Sequence, residues 1–124
     1  AHYINQLADG RLMHSNSWIM PDGWMTDAYM FAVSYPEGTE AADAKDFFIC
    51  HGSALRRDKE TYFSSLSKLF VIQKEEGKKL NLWIDGQPKI HATFRSEKKP
   101  TTVIVNGNNF PVVYKNAHVK VKYQ

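Results

Sequence analysis

Several short stretches of this chain alternate apolar with polar residues, which is the pattern of β-strands that bury one face. Residues 80–84 and 90–94 alternate in this way, and Asp85-Gly86 stands between them. Because Asp-Gly is a preferred sequence for a two-residue hairpin loop, we predict a β-hairpin over this region.

Turn-forming residues separate the other predicted strands at intervals of about ten residues, a spacing typical of small all-β domains. The strongest turn signal is Pro21-Asp22-Gly23, because proline presets φ and glycine tolerates a positive φ. Asn106-Gly107 is a second turn signal, and residues 35–46 are predicted to be a polar, acidic loop. The strands predicted from these boundaries cover residues 11–20, 25–34, 47–51, 101–105, 110–115 and 117–123.

One stretch, residues 58–76, follows helical rather than alternating spacing, and we predict an α-helix there. Its apolar residues recur three and four positions apart and would form one stripe against a core. Asp58 or Thr61 can serve as the N-cap, and Gly77 stands where a left-handed C-cap is expected. The stripe consists of Tyr62, Leu66, Leu69, Phe70 and Gln73.

The size of the chain suits one hydrophobic core. It has 124 residues, of which 43% are hydrophobic, and no apolar run approaches the roughly 18 to 20 residues of a membrane-spanning helix. We therefore predict a single domain over residues 1–124, mainly β with one α-helix. An OB-like small β-barrel fits these elements best, and in such a barrel ligands bind on loops or on one strand face.

Charge is distributed unevenly along the chain. Residues 1–52 contain two basic and seven acidic residues, whereas residues 53–124 contain fourteen basic and six acidic ones. This difference favours a basic face for nucleic acid or anionic glycan, or complementary faces that meet between the subunits of a homo-oligomer. Solvated strand faces would produce the same pattern, because Lys120 and Lys122 alternate with apolar neighbours.

A set of basic and aromatic residues in the second half of the chain is a candidate nucleic-acid surface. In such a surface, cations neutralise phosphates and aromatic rings stack on the bases of a single strand. We therefore keep single-stranded nucleic-acid binding as an alternative function, beside a protein-binding role as an inhibitor or immunity protein. The set comprises Arg95, Lys98, Lys99, Tyr114, Lys115, Lys120, Lys122 and Tyr123.

The sequence contains no motif for catalysis, a metal or a cofactor. Its five histidines are dispersed, and no zinc-ligand spacing, phosphate loop or nucleophile elbow is present. Cys50 is the only cysteine, so an intrachain disulfide is impossible, and its apolar neighbours predict a buried thiol. We therefore expect a protein that is not an enzyme and that uses no metal or cofactor.

Residues 15–24 combine the side chains that bind sugars. An indole ring stacks on the apolar face of a pyranose, while hydroxyl and carboxylate groups hydrogen-bond the sugar hydroxyls. The alternative interpretation is that the two tryptophans are core residues around the Pro21-Asp22-Gly23 turn. The candidate ligand-binding residues are Ser15, Ser17, Trp18, Asp22 and Trp24.

The order of elements over residues 47–95 resembles a known family. The segment FFICHG at residues 47–52 is followed by the predicted helix, Gly77 and the segment KLNLWIDG at residues 79–86. This order is similar to that of the OB-fold binding subunits of bacterial multi-subunit toxins, of the subtilase-cytotoxin, typhoid-toxin and pertussis-toxin type. Two features depart from the family, because its cysteine is normally bridged and because the strands after Pro100 extend past its usual end.

The resemblance implies a secreted or periplasmic bacterial protein that recognises a cell-surface glycan or a glycoprotein receptor. It also implies assembly into a homo-oligomeric ring such as a pentamer. Asp9-Gly10 followed by Ser15 resembles the acidic-Gly and Ser pattern with which some of these subunits hold a sialylated glycan, so Asp9 joins the candidate site. The expected function is that of a non-enzymatic binding subunit.

Overall fold

The structure of the protein is a computed structural model, which describes residues 3–6, 12–15, 23–34 and 44–123. The mainly β class is confirmed, whereas the predicted helix is wrong, because no α-helix occurs in these ranges. The strands are β1 (Tyr3–Gln6), β2 (Leu12–Ser15), β3 (Trp24–Thr26), β4 (Met30–Ser34), β5 (Asp46–Arg57), β6 (Glu60–Glu76), β7 (Lys79–Asp85), β8 (Ile90–Arg95), β9 (Thr102–Val105), β10 (Asn108–Phe110), β11 (Tyr114–Lys115) and β12 (His118–Tyr123).

Some sequence predictions fall on residues that the structure does not describe. These are the first two residues of the predicted turn at 21–23, most of the predicted loop over 35–46, and the end of the predicted strand over 11–20. In the part of the chain that is described, no helix is long and apolar enough to cross a membrane.

Ten of the strands form one curled, barrel-like sheet, while β1 and β2 pair separately as an antiparallel hairpin. The centre of the curled sheet is the long hairpin of β5 and β6. One half of the sheet adds β4, β7, β9 and β10 to this hairpin, and the other half adds β3, β8, β11 and β12. The described pairings are antiparallel except that between β7 and β9, which run parallel.

Residues 58–76, predicted as a helix, form the β5–β6 turn and the strand β6 instead. β6 is rich in β-branched and aromatic residues, which favour strands over helices. From Leu69 to Gln73 every second residue is buried, which is the period of a strand with one face on the core. Leu66, which the helix would have buried, is 85% exposed. Gly77 is not a helix cap but a residue of the β6–β7 turn, with a φ of 60°.

β7 and β8 do not form the hairpin that the sequence predicts. β7 pairs with residues 70–76 of β6, and β8 pairs with residues 63–65 of the same strand. The two strands therefore lie end to end along one edge of β6, and residues 86–89 connect them. The prediction fails because β6 is long enough to provide both strands with a partner.

The β5–β6 hairpin departs from regular pairing near Gly52. Gly52 pairs with Leu69, and residues 65–68 of β6 have no partner on β5. A side chain at position 52 would clash, because its Cβ would lie 2.8 Å from the Cβ of Ala28. Bulges of this kind bend a strand and increase its twist, so the irregular pairing accounts for the curl of the sheet.

Asp27 holds β5 next to this bend. Its carboxylate accepts hydrogen bonds from the backbone N–H of Ser53 at 2.7 Å and of Ala54 at 3.1 Å, and another from the Ser53 hydroxyl. Asp27 lies between β3 and β4. The strand predicted over residues 25–34 is therefore interrupted at residues 27–29, where the Asp27 side chain hydrogen-bonds the backbone of β5.

The inner face of the curled sheet carries the hydrophobic core, to which both halves contribute. Phe63 of β6 packs against Phe94 of β8, with 5.4 Å between the ring centroids. Its ring centroid also lies 6.1 Å from that of Phe47, which is in the part of β5 that pairs with β4. Burying a side chain of this size stabilises a fold by roughly 1.5 to 3 kcal/mol. The valines of the last strands complete this face and are Val103, Val105, Val119 and Val121.

Local turn sequences place the last strands close to their predicted positions. Asn106-Gly107 joins β9 to β10 with a positive φ at both residues, as a type I′ turn requires. The strand predicted over residues 110–115 is divided between β10 and β11. β11 returns to β12 through Asn116-Ala117, again with a positive φ at both positions.

Candidate anion-binding cavity

A cavity of about 270 Å³ lies beside the β6–β7 turn and the linker of residues 96–100, which connects β8 to β9. Charged residues from three separate parts of the chain meet around it, namely the segment before β5, the β6–β7 hairpin and the linker. Its polar lining consists of Lys45, Glu75, Lys78, Lys79, Ser96, Glu97, Lys98 and Lys99.

The linker is held in place by the β11–β12 hairpin. The Ser96 N–H donates to the Ala117 carbonyl at 2.8 Å. The Tyr114 hydroxyl donates to the Ser96 carbonyl at 2.7 Å, and the Glu97 carbonyl lies 3.1 Å from the same hydroxyl. Within the linker, the Ser96 hydroxyl donates to the Lys98 carbonyl at 2.8 Å. The backbone that carries the two linker lysines is therefore positioned by hydrogen bonds.

The β6–β7 turn is tied to the end of the same linker. The Thr101 N–H donates to the Lys78 carbonyl at 2.9 Å. Directly after this bond, Lys79 pairs with Thr102 in the parallel ladder of β7 and β9. This parallel pairing is what brings the two lysine-bearing segments together.

Lys45 is positioned from β6. The side-chain amide of Gln73 donates to the Lys45 carbonyl at 2.7 Å, and the Glu75 N–H donates to the Asp46 carboxylate at 2.8 Å. Gln73 is buried, and a buried amide needs a hydrogen-bond partner that water cannot supply. These bonds fix the segment that enters β5 beside the strand that carries Glu75.

The charge around the cavity is predominantly positive. Five lysines against two glutamates give the lining a formal charge of +3. Burial raises the pKa of the half-buried Glu75 carboxyl, Asp46 and Glu97 raise it further, and the positive charges of Lys45 and Arg95 oppose this rise. The Glu75 carboxyl therefore gives up its proton less readily than an ordinary glutamate does.

Such a lining can bind a small ligand that carries a negative charge and hydroxyl groups. Each lysine ammonium offers three N–H donors, and a carboxylate, sulfate or phosphate accepts them. The glutamate carboxylates can accept hydrogen bonds from ligand hydroxyls. Pockets for drug-sized ligands measure roughly 300 to 1,000 Å³, so this cavity suits one small ligand or the terminal unit of a longer one.

The sugar site predicted near the start of the chain is described only in part. Ser15 lies at the end of β2, opposite Tyr3. Trp24 has no exposed surface, and its ring centroid lies 4.9 Å from that of Tyr62. Trp24 is thus a core residue, as in the alternative interpretation, while the site as a whole stays a prediction. Four of its residues lie outside the described ranges, namely Asp9, Ser17, Trp18 and Asp22.

The predicted nucleic-acid set divides between two places. Lys98 and Lys99 line the cavity, whereas Lys115, Lys120 and Lys122 are exposed on β11 and β12. The β11–β12 turn connects the strands of the second place to the linker of the first, because the Ser96 N–H donates to the Ala117 carbonyl.

The other members of the predicted set are engaged within the fold. Arg95 pairs with Glu60 at 3.3 Å. Tyr114 and Tyr123 both pack against the core, and the ring centroid of Tyr123 lies 5.6 Å from that of Phe110. Neither tyrosine therefore stands out from the surface as a platform on which a base would stack.

Cys50 is half-buried, not buried as the sequence predicts. Its neighbour Ile49 is buried on the inner face, so Cys50 lies on the outer face of β5, opposite Met30. Within the described ranges, no three histidine, cysteine or acidic side chains are close enough together to hold a metal ion.

Sequence reasoning missed several cavity residues for a physical reason. Lys45 and Glu75 carry no local motif, and the cavity forms only when β7 pairs with the distant strand β9. The available signal is a pair of adjacent lysines in each of two turn regions, Lys78-Lys79 and Lys98-Lys99. Such pairs indicate exposed chain segments, but nothing in the sequence indicates that the two pairs meet.

No protein-family model matches this chain, and no curated protein sequence matches it either.

Proposed function

We propose that this chain is a non-enzymatic binding protein that recognises an acidic glycan, with the negatively charged sugar seated in the lysine-lined cavity. The observation that supports this most directly is the convergence of five lysines from three parts of the chain on one cavity of about 270 Å³. Hydrogen bonds to Tyr114, Ala117 and Gln73 position the linker and the segment before β5. The bond from the Thr101 N–H to the Lys78 carbonyl ties the β6–β7 turn to the end of the linker.

The mixture of charges in the lining favours a sugar acid over a polyphosphate. A carboxylated sugar brings one negative charge for the lysines and several hydroxyls that can donate hydrogen bonds to Glu75 and Glu97. A densely charged phosphate group would be repelled by the same two carboxylates. The ligand best suited to this lining is therefore a sugar with one carboxylate at the end of a cell-surface glycan.

The wider features of the proposal come from the sequence resemblance over residues 47–95. They are an OB-like barrel, a role like that of a toxin B subunit, secretion or export to the periplasm of a bacterium, and assembly into a ring. The curled sheet supports a barrel-like class, but the helix that formed part of the resemblance is the strand β6. Light scattering tests the assembly, since a pentamer would support the ring and a monomer would remove it.

Titration calorimetry with a sialylated trisaccharide and its neutral counterpart tests the cavity. We expect the parent to bind the acidic sugar more tightly, and Lys98→Gln combined with Lys99→Gln to lose roughly tenfold in affinity. A matched control combines Lys68→Gln with Lys74→Gln, which removes the same charge from exposed positions outside the cavity. Equal binding of both sugars, or equal losses in the two double variants, would refute the proposal.

A further inference from the structure

We propose a second binding surface, the outer face of β8, β11 and β12, as a site for a linear sulfated glycan chain. We call this surface the basic face. The inference does not depend on the ligand of the cavity, because none of the residues of the basic face lines the cavity. The basic face consists of His91, Arg95, Lys115, His118, Lys120 and Lys122.

Strand alternation places the lysines of β12 on the outer side of the sheet. Val119 and Val121 are buried in the core, while Lys120 and Lys122 between and after them are exposed. Residues two apart on a strand lie about 6.6 to 6.8 Å from each other along the chain. β12 therefore presents two positive charges in a row on one side.

Residues of the neighbouring strands extend this row sideways. His118 lies opposite Arg95 of β8 on one side and opposite Lys115 of β11 on the other. Adjacent strands are about 4.7 to 4.9 Å apart, so the backbones that carry Arg95 and Lys115 run directly beside the β12 row. A two-dimensional array of cations suits a chain with repeated negative charges better than one small anion.

The lysines of the basic face are not neutralised by the fold. Arg95 forms an ion pair with Glu60. Within the described part of the chain, no ion pair includes Lys115, Lys120 or Lys122. His118 has a structural role, since its two ring nitrogens lie 2.7 and 2.8 Å from the carbonyl oxygens of Asn116 and Thr61. The three lysines are therefore the groups best placed to contact a ligand.

The lack of a displayed ring favours a sulfated glycan over a single nucleic-acid strand. Proteins that bind single strands combine a positive groove with aromatic side chains on which bases stack. On the basic face the described strands offer no such ring, because Tyr114 and Tyr123 pack against the core. A sulfated glycan needs only the charges, since its sulfates repeat along the chain and it has no bases to stack.

Calorimetry with a size-defined, fully sulfated heparin oligosaccharide tests this proposal, with a single-stranded oligonucleotide of equal charge as the second probe. We expect Lys120→Gln combined with Lys122→Gln to lose roughly tenfold in affinity for the oligosaccharide and to bind with a weaker salt dependence. The oligonucleotide should bind the parent less tightly than the oligosaccharide. Lys120→Arg combined with Lys122→Arg keeps the charge and should bind like the parent.

Two controls separate this surface from the cavity. Lys68→Gln with Lys74→Gln should leave oligosaccharide binding within about threefold of the parent. Lys98→Gln with Lys99→Gln should cost less affinity for the oligosaccharide than Lys120→Gln with Lys122→Gln does. Tighter binding of the oligonucleotide would reassign the face to nucleic acid and overturn the proposal. Equal losses in all three neutralised variants, or no binding of the oligosaccharide, would overturn it as well. None of these results decides whether the cavity binds an acidic sugar, which the trisaccharide titration tests separately.

Discussion

The hydroxyl of Tyr114 donates a hydrogen bond to the carbonyl oxygen of Ser96, with 2.7 Å between the two oxygens. Tyr114 belongs to β11 and its ring packs against the core, whereas Ser96 begins the linker that carries two lysines of the cavity. The bond therefore connects the rigid interior to the wall of the candidate site. The geometry of the cavity depends in this way on a residue that does not line it.

Tyr114→Phe removes this hydroxyl and keeps the ring. We expect the free energy of unfolding to fall by about 0.5 to 1.5 kcal/mol, the net contribution of one hydrogen bond. Affinity for an acidic sugar should also fall, because the linker lysines are less well positioned. Urea unfolding and titration calorimetry measure the two effects. Tyr123→Phe, which leaves the linker bond in place, is the control, and an equal loss of affinity there would contradict the explanation.

Leu66 and Leu69 distinguish the observed strand from a helix. Leu66 is 85% exposed and Leu69 is 1% exposed, whereas a helix would bury both in one stripe. We expect Leu69→Ala to lower the free energy of unfolding by about 2 to 5 kcal/mol and Leu66→Ala by less than about 0.5 kcal/mol. Denaturant unfolding of the two variants measures the difference. Similar losses at both positions would favour the helix.

Ala117 adopts a backbone conformation that suits glycine, with a φ of 61°. A left-handed conformation costs an L-residue roughly 1 to 2 kcal/mol, a cost that glycine avoids. Glycine in turn loses about 0.5 to 1 kcal/mol more conformational entropy on folding, which offsets part of the gain. Ala117→Gly should therefore stabilise the protein by about 0.5 to 1 kcal/mol in a thermal or urea unfolding experiment. Ala32→Gly, within β4, is the matched control and should destabilise it. A loss at position 117 would show that the strain is absent.

The raised pKa of Glu75 implies a pH dependence of stability. A carboxyl whose pKa is higher in the folded state holds its proton more tightly there, so its ionisation opposes folding. The contribution of the Glu75 carboxyl to stability is most favourable below its ordinary pKa of 4.5 and is lost as the pH rises through its folded-state pKa.

As the pH rises from about 4 to about 7, the free energy of unfolding of Glu75→Gln should increase relative to that of the parent, because the variant lacks the group that ionises. Urea unfolding at both pH values measures this change. Glu76→Gln, at the exposed neighbouring position, is the control. A stability difference between Glu75→Gln and the parent that stays the same at both pH values would exclude the effect.

The strands that the sequence predicts well are those fixed by local chemistry. β9 and β12 alternate buried valines with outward residues, and Asn106-Gly107 dictates its own turn. The helix prediction fails because residues 65–68, which have no partner on β5, interrupt the alternation in β6. Leu66 falls inside this interruption, and its spacing from Tyr62 and Leu69 imitates a helical stripe although it faces the solvent.

The cavity could be predicted only in fragments. The lysine pairs at 78–79 and 98–99 are visible in the sequence, but their meeting depends on parallel pairing between strands separated by β8. Strand partners at such distances are set by the whole sheet rather than by neighbouring residues. For the same reason the sequence places β8 beside β7, although the structure pairs it with β6 and β12.

β5 and β6 run through both halves of the sheet, and this has a consequence for how the protein opens. Neither half keeps its strand partners if these two strands separate, so the halves cannot unfold one after the other. The amide hydrogens that join β5 to β6 in hydrogen bonds should therefore exchange with solvent only through global unfolding, whereas those of the short edge strand β10 exchange through local opening. A truncation that removes either strand would leave no smaller folded unit behind.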